Sequence, residues 1–141
     1  MGILGRLFSP YGASESEVVE VEEAVGPLPR AYRRFLRRLG RDENGPLRGT
    51  DCFVRHVVDN TAALPELLAE NNAADILPSR YLCFFMHQGY IAAWFDLDTP
   101  DDDPACWVFH ETECVVPKID GTFTSFMRSQ YQAFGGAWPA I

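Results

Sequence analysis

The stretch that decides the fold is "EEAVGPLPRAYRRFLRRLG", residues 22–40, where one helix ends and the next begins. Gly26 can adopt the left-handed conformation that ends a helix, and Pro29 suits a first helical turn because the amide hydrogen that proline lacks has no partner there. Apolar side chains then recur at i, i+3, i+4 and i+7, at Tyr32, Phe35, Leu36 and Leu39. This spacing predicts an amphipathic helix that ends at Gly40.

Opposite charges lie on the two helices that meet in this stretch. Residues 15–23 contain five Glu, whereas residues 30–41 contain six of the twelve Lys and Arg of the chain. The first helix is predicted to begin at Ser14, because Glu17 three positions later has the spacing of a capping box. We expect the arginines to form a solvated face and to pair in part with acidic side chains of the first helix, namely Glu17, Glu20, Glu22 and Glu23.

After residue 50 the pattern changes from helical to extended. "DCFVRHVVD", residues 51–59, favours a strand, and "LPELLAENNA", residues 64–73, predicts a short helix that starts at Pro65. The aromatic runs "RYLCFFMHQ", "YIAAWFDL" and "ACWVFHET" are separated by a turn at Gly89 and by an Asp-Pro loop, which predicts antiparallel strands joined by hairpins. "ECVVPKI" can add a strand with Pro117 at its end or on a sheet edge, and Thr122 or Thr124 can cap a final helix.

This order of elements predicts an α+β fold. We expect an antiparallel meander of about four to six strands, with two N-terminal helices, a short middle helix and a C-terminal helix packed on it. Residues 1–14 are predicted to be an N-terminal tail and residues 15–141 a single domain.

Composition and charge limit the possible functions. The chain has 141 residues, 47% of them hydrophobic, and a formal net charge of -8, which favours a basic protein partner and argues against nucleic acid. It contains no run long enough for a membrane span and no signal-peptide pattern, so we expect a cytoplasmic protein with reduced cysteines and no membrane contact.

The acidic cluster in "DLDTPDDDPACWVFH", residues 96–110, invites a catalytic or metal-binding interpretation. Asp96, Asp98 and Pro100 resemble the D-x-D-x-T nucleophile motif of haloacid-dehalogenase-type phosphatases, but threonine stands one place early and the remaining chain is too short for that fold. Neither register of the cluster supplies the glycine and glutamate of an EF-hand calcium loop. The segment is predicted to be a solubilising turn or part of a docking surface.

Cysteine and histidine side chains suggest two further types of site. Cys106, His110 and Cys114 could ligate zinc, but on an extended strand the first two lie about 13 Å apart, so the chain would have to fold back near Thr112. The same spacing separates Cys83 from His87 as nucleophile and base, and His56 has no evident carboxylate to orient it. We therefore expect neither a catalytic set nor a cofactor.

The motifs taken in order resemble the SUKH superfamily, which includes a yeast cell-wall regulator and many bacterial immunity proteins. The resemblance lies in residues 22–40, in "FFMHQGYIAAWFDLD" and "CWVFHE", and in the final "GTFTSFMRSQYQAF". The family core motif would consist of Gly26, Leu28, Pro29, Tyr32, Phe35, Leu36, Gly89, Trp94 and Phe126.

The resemblance implies a non-enzymatic immunity protein that neutralises a cognate toxin, possibly a nuclease, through an acidic surface. The candidate partner-binding residues are Asp98, Asp101, Asp102, Asp103, Glu111 and Glu113. Two alternatives remain open, a housekeeping adaptor of the same fold and a metal-dependent phosphatase that uses Asp96 and Asp98.

Overall fold

The structure, a computed structural model, describes residues 10–112 and 114–139, with residues 114 and 115 described by their backbone only. Within these ranges the elements are four α-helices, a short 3-10 helix and four strands. In chain order they are α1 (Glu15–Val25), α2 (Arg30–Leu39), α3 (Val57–Glu70), the 3-10 helix (Ala74–Ile76), β1 (Tyr81–His87), β2 (Ile91–Asp96), β3 (Ala105–His110), β4 (Cys114–Thr122) and α4 (Phe123–Ala133). The α+β class is confirmed. None of the helices in the described part is long and apolar enough to span a bilayer.

The four strands form one antiparallel meander in the order β1-β2-β3-β4, as predicted. The β1–β2 hairpin turns at Gln88 and Gly89, whose φ angles are 51° and 75°, and the amide of Tyr90 donates to the carbonyl of His87 at 3.2 Å. Two successive positive φ angles are the geometry of a type I′ turn, which glycine adopts at little cost. Pro117 lies inside β4, where an edge strand tolerates it.

Both faces of the sheet are covered at β1 and β2, so these two strands consist of nearly continuous apolar residues. One face packs against α1, α2 and α4 in the main core, and the other packs Trp94 and Phe109 against Leu64 and Leu68 of α3. A bulge in β1 lies between Cys83 and Phe85, and it leaves the consecutive residues Phe84 and Phe85 both in the main core. A bulge resets the alternation of side chains between the two faces of a strand.

Tyr32 of α2 lies at the centre of the main core, with no exposed surface. Its ring contacts Phe95 of β2 and Phe123 of α4 edge-on, at centroid distances of 5.5 and 5.3 Å, and stacks on Phe35 at 6.2 Å. Each such ring pair contributes roughly 0.5–1.5 kcal/mol beyond the burial of its area. The contacts join α2 to the sheet and to the C-terminal helix.

The predicted helix ends are confirmed where the capping chemistry is specific. Ser14 and Glu17 form the expected capping box, and Gly26 ends α1 with a φ of 102°. Thr122, one of the two predicted caps, forms a second capping box with Ser125 at the start of α4.

The strand predicted over residues 51–59 is wrong, and the middle helix is longer than predicted. Residues 52–54 are buried but belong to an irregular segment, and α3 already begins at Val57, eight residues before Pro65. The side chains buried along α3 follow helical spacing, at Val57, Asn60, Leu64 and Leu68. Packing of this face against the sheet therefore outweighs the β propensity of the valines. It also outweighs the loss of the backbone hydrogen bond that Pro65 cannot donate.

Substitutions at Tyr32 should distinguish the contribution of its ring to stability from the contribution of its hydroxyl group. The ring fills the core, whereas the buried hydroxyl has no hydrogen-bond partner among the described residues. We expect Tyr32→Ala to lower the free energy of unfolding by about 3–5 kcal/mol. Tyr32→Phe should keep it unchanged or raise it by up to about 1 kcal/mol, because an unsatisfied polar group is removed.

Urea denaturation followed by circular dichroism measures both effects. A loss well above about 1 kcal/mol in Tyr32→Phe would contradict an unbonded hydroxyl group, because removal of a satisfied buried bond has a cost of that size.

Candidate functional site

The connection between β2 and β3, residues 97–104, is held against the N-termini of two helices. The amide of Ala31 in α2 donates to the carbonyl of Asp102 at 2.8 Å, and the amide of Phe123 in α4 donates to that of Pro104 at the same distance. The carboxylate of Asp103 accepts from the amide of Thr124 at 3.0 Å. The first amides of a helix have no partner inside the helix, so this loop satisfies three of them.

Asp98 is held in place by hydrogen bonds within the domain. Its carboxylate accepts from the amide and hydroxyl of Ser79, at 3.0 and 2.6 Å, and from the amide and Nε of Arg80, both at 3.2 Å. These hydrogen bonds hold the pKa of Asp98 below its usual value because they favour the charged form, and the bond from the Ser79 hydroxyl has the largest effect. Asp98 therefore fixes the chain before β1 to the chain after β2.

Asp96 and Asp101 stabilise turns of the loop. Oδ1 of Asp96 accepts from the amide of Asp98 at 2.6 Å, and its Oδ2 accepts from the hydroxyl of Thr99 at 3.4 Å. Oδ1 of Asp101 accepts from the amide of Asp103 at 3.0 Å. Aspartate side chains that bond the backbone two residues further on are typical of loop turns. Both members of the D-x-D pair, Asp96 and Asp98, are thus engaged in local structure.

Two cavities, of about 540 and 230 Å³, lie between the start of α2 and this loop, and both are lined by Arg30 and Asp102. We call the two cavities together the Arg-Asp groove and define it by Arg30, Arg33 and Arg34 on the α2 side and Asp101, Asp102 and Asp103 on the loop side. Leu28, Pro29, Leu97 and Pro100 contribute apolar surface to the larger cavity. Such a groove can bind a polypeptide segment by charge and shape.

The smaller cavity is bounded by an aromatic side chain near the C-terminal end of the chain. Trp138 stacks on Phe35 with ring centroids 6.1 Å apart and planes 2° apart, and it meets Tyr131 edge-on at 5.4 Å. The indole is half-buried, so one part of it is packed on the core while another part lines the groove.

The start of α2 belongs to the first of the sequence stretches on which the family resemblance is based. The sequence profile of the SMI1 / KNR4 family (SUKH-1) matches residues 12–129. The chain belongs to the SUKH-1 family. Comparison with curated proteins and with solved structures yielded no significant match.

Most of the residues predicted to form the family core motif have structural roles in this chain. Its large apolar members are buried, namely Leu28, Tyr32, Phe35, Leu36, Trp94 and Phe126. Gly26 and Gly89 have positive φ angles, which their turns require. Pro29 directly precedes α2 and lines the Arg-Asp groove.

The structure brings together four of the six predicted partner-binding residues of the SUKH-1 domain. Asp98, Asp101, Asp102 and Asp103 lie in one loop. Glu111 follows the opposite end of β3, roughly 20 Å away, where its amide donates to the carbonyl of Tyr90 and its carboxylate lies 3.5 Å from Nδ2 of Asn71. Glu113 lies outside the described residues.

Two of the four loop aspartates remain available to a partner. The carboxylates of Asp98 and Asp103 form hydrogen bonds that stabilise the fold. One carboxylate oxygen of Asp101 and both carboxylate oxygens of Asp102 have no partner in the described structure. Sequence reasoning grouped all of them as surface charge, because it could not show which carboxylates are used by backbone amides.

Sequence reasoning missed Arg30, Arg34 and Trp138 as groove residues. The arginines were assigned to a solvated face, and Arg30 and Arg34 are indeed exposed, but they also line the groove. The predicted pairing with α1 is confirmed for Glu22 with Arg33 and for Glu17 with Arg41, whereas Arg37 pairs with Glu15, which was not among the predicted partners. The only sequence signal for the groove was the concentration of basic residues directly after the Leu-Pro pair.

The cysteine and histidine candidates do not form a reactive site in the described structure. Burial raises the pKa of Cys83 to about 12 and also raises that of Cys106, so both are protonated thiols at neutral pH. The chain does fold back after β3, where His110 and Cys114 are Cα partners. The side chain of Cys114 lies outside the described structure, so the candidate zinc ligand set stays a hypothesis, and the described residues contain no other group of three potential metal ligands. His56 lies 3.6 Å from Asp51, a contact that sequence reasoning did not find.

Asp98 should contribute to stability in a pH-dependent way. Since its pKa is lowered in the folded state, the stabilisation is fully present above the pKa of an unfolded aspartate, about 3.9, and is lost as the pH falls through the folded value. We expect Asp98→Asn to be less stable than wild type at pH 7, with a difference that shrinks below about pH 4.

Unfolding by urea at pH 7, 5, 4 and 3 tests this expectation. Asp102→Asn is the matched control, because it removes the same charge from the same loop without breaking a side-chain hydrogen bond to a described residue. If the stability difference for Asp98→Asn stayed constant down to pH 3, the assigned role of its charge would be wrong.

Proposed function

We propose that this SUKH-1 protein is a non-enzymatic immunity protein that binds a cognate protein toxin and neutralises it through the Arg-Asp groove and its acidic loop. The observation that carries the proposal is the loop of residues 97–104, which is fixed to two helix N-termini while Asp101 and Asp102 face solvent. A hydrogen-bonded, charged loop that lines a groove of mixed polar and apolar surface suits binding more than catalysis, because little conformational entropy is lost on association.

The net charge supports a basic partner. A formal charge of -8 on 141 residues attracts a basic protein over long range and accelerates its association. Nuclease toxins have basic surfaces because they bind polyanions, so an acidic inhibitor can compete with nucleic acid for the same surface. We therefore place a nuclease among the candidate toxins.

The side-chain chemistry of the described residues supports a role without catalysis. The carboxylate oxygens of Asp96 and Asp98 accept hydrogen bonds from loop amides, hydroxyls and Arg80. Burial raises the pKa of the Cys52 and Cys83 thiols to about 12. A nucleophile needs a reactive electron pair that the substrate can reach. Neither type of group meets both conditions.

Co-expression with the toxin domain encoded beside this chain tests the proposal. We expect the protein to restore growth of cells that express the domain and to co-purify with it. If the domain is toxic and the protein neither restores growth nor co-purifies, the proposed function fails for that pair.

Charge reversal of the free loop carboxylates tests the surface. We expect Asp101→Lys combined with Asp102→Lys to weaken toxin binding by at least about tenfold, because charges at an interface govern association and specificity. Asp103 is left unchanged because it bonds Thr124, and thermal melting checks the fold of the variant because Asp101→Lys removes the acceptor of the Asp103 amide.

The matched control is Glu66→Lys combined with Glu70→Lys. These residues are exposed on α3, which packs on the other face of the sheet, and the change in net charge is the same. An equal loss of affinity in both variants would indicate a general effect of net charge and would count against a binding surface on the loop.

A further inference from the structure

Two arginines of the Arg-Asp groove have no counter-ion in the described part of the chain. Three other arginines on or next to α2, namely Arg33, Arg37 and Arg41, pair with glutamates of α1. The side chains of Arg30 and Arg34 form neither an ion pair nor a hydrogen bond with any described residue, although both line the smaller cavity. Their guanidinium groups are therefore available at the groove.

One aspartate of the groove, Asp102, also has a side chain without a partner in the described part of the chain. Asp102 lines both cavities, and its carboxylate accepts no hydrogen bond from the described residues. Its backbone is nevertheless fixed, because its carbonyl accepts the amide of Ala31, the residue next to Arg30. The loop is thus clamped beside Arg30, yet the charged groups of Arg30 and Asp102 do not form an ion pair.

We propose that the Arg-Asp groove binds a segment of the partner that presents both a basic and an acidic side chain. The basic side chain meets Asp102 with the free oxygen of Asp101, and the acidic side chain meets Arg30 and Arg34. This inference rests on the proposed function, since the segment belongs to the same partner. It defines the partner's contact surface as mixed in charge rather than uniformly basic.

Charge complementarity is the physical reason for this assignment. A uniformly basic segment would place like charges against Arg30 and Arg34, which costs free energy that contacts with the aspartates would have to offset. A mixed segment satisfies both signs, and a bidentate guanidinium–carboxylate contact also fixes the register of the segment in the groove. Like-charge contacts would then exclude toxins with another charge pattern.

Trp138 adds an anchor beside these charges. Its ring is held by Phe35 and Tyr131 and borders the cavity that contains Arg30 and Arg34. Tryptophan and arginine are the side chains most enriched among the residues that dominate binding at protein interfaces. The apolar part of the partner segment can pack on the exposed part of the indole.

Two interpretations of the surface predict effects of opposite sign for the same variants. If the partner's contact surface is uniformly basic, Arg30→Glu and Arg34→Glu add favourable charge and tighten binding. If the groove takes a mixed segment, each substitution removes a counter-ion and repels the partner's acidic side chain, so we expect each to weaken binding about tenfold or more.

Titration calorimetry of the full chain against the toxin domain encoded beside it measures the difference. Arg48→Glu is the matched control, because Arg48 is exposed, lies outside the groove and forms no ion pair with described residues, and it should change affinity by less than about threefold. Arg30→Gln gives a milder loss in the same direction if the reversed charge perturbs folding, which thermal melting monitors.

The outcomes distinguish this inference from the proposed function. Weaker binding in both arginine variants with an unchanged Arg48→Glu supports the mixed segment. Tighter or unchanged binding in the arginine variants, together with a loss in the double aspartate variant, overturns the mixed segment and leaves the immunity function intact. A wild-type protein that neither binds nor neutralises the domain overturns both.

Discussion

Burial of one face of α2 is the constraint on which the rest of the structure depends. Tyr32 and Phe35 pack against Phe95 of the sheet, Phe123 of α4 and the indole of Trp138. Because this face of α2 packs against several elements at once, the N-terminus of the helix is fixed in position as well. At that N-terminus the amide of Ala31 donates a hydrogen bond to the carbonyl of Asp102 in the loop between β2 and β3. The position of the groove therefore depends on the packing of the aromatic core.

The acidic loop shows how charged residues can serve the fold before they serve a partner. A run of aspartates is costly for a compact state because the charges repel one another. Here Asp103 is stabilised by the N-terminus of α4, whose amides and helix dipole favour a negative charge, and Asp98 is stabilised by Arg80 and Ser79. The loop therefore keeps a defined shape, and the carboxylate of Asp102 and one oxygen of Asp101 remain exposed.

Sequence reasoning succeeded where a local chemical rule has few alternatives. The capping box at Ser14, the stop at Gly26 and the turn at Gly89 each depend on a backbone conformation or hydrogen bond that few residue types provide. It failed at residues 51–59, where valines that favour strands lie in the first turn of a helix. Local propensity differs by only about 1 kcal/mol between the two states, and burial of Val57 and Leu64 outweighs it.

The amino-acid sequence by itself determined the α+β class, the meander, the helix that begins after Pro29 and the membership in the SUKH-1 family. These features follow from periodicity and from residues with restricted backbone conformations, which act over a few positions. Only the tertiary structure decided which charges are used internally and which face the groove. Ion pairs and loop hydrogen bonds join residues as far apart in the chain as Ala31 and Asp102, and their geometry exists only after the aromatic core has brought α2, α4 and the sheet together.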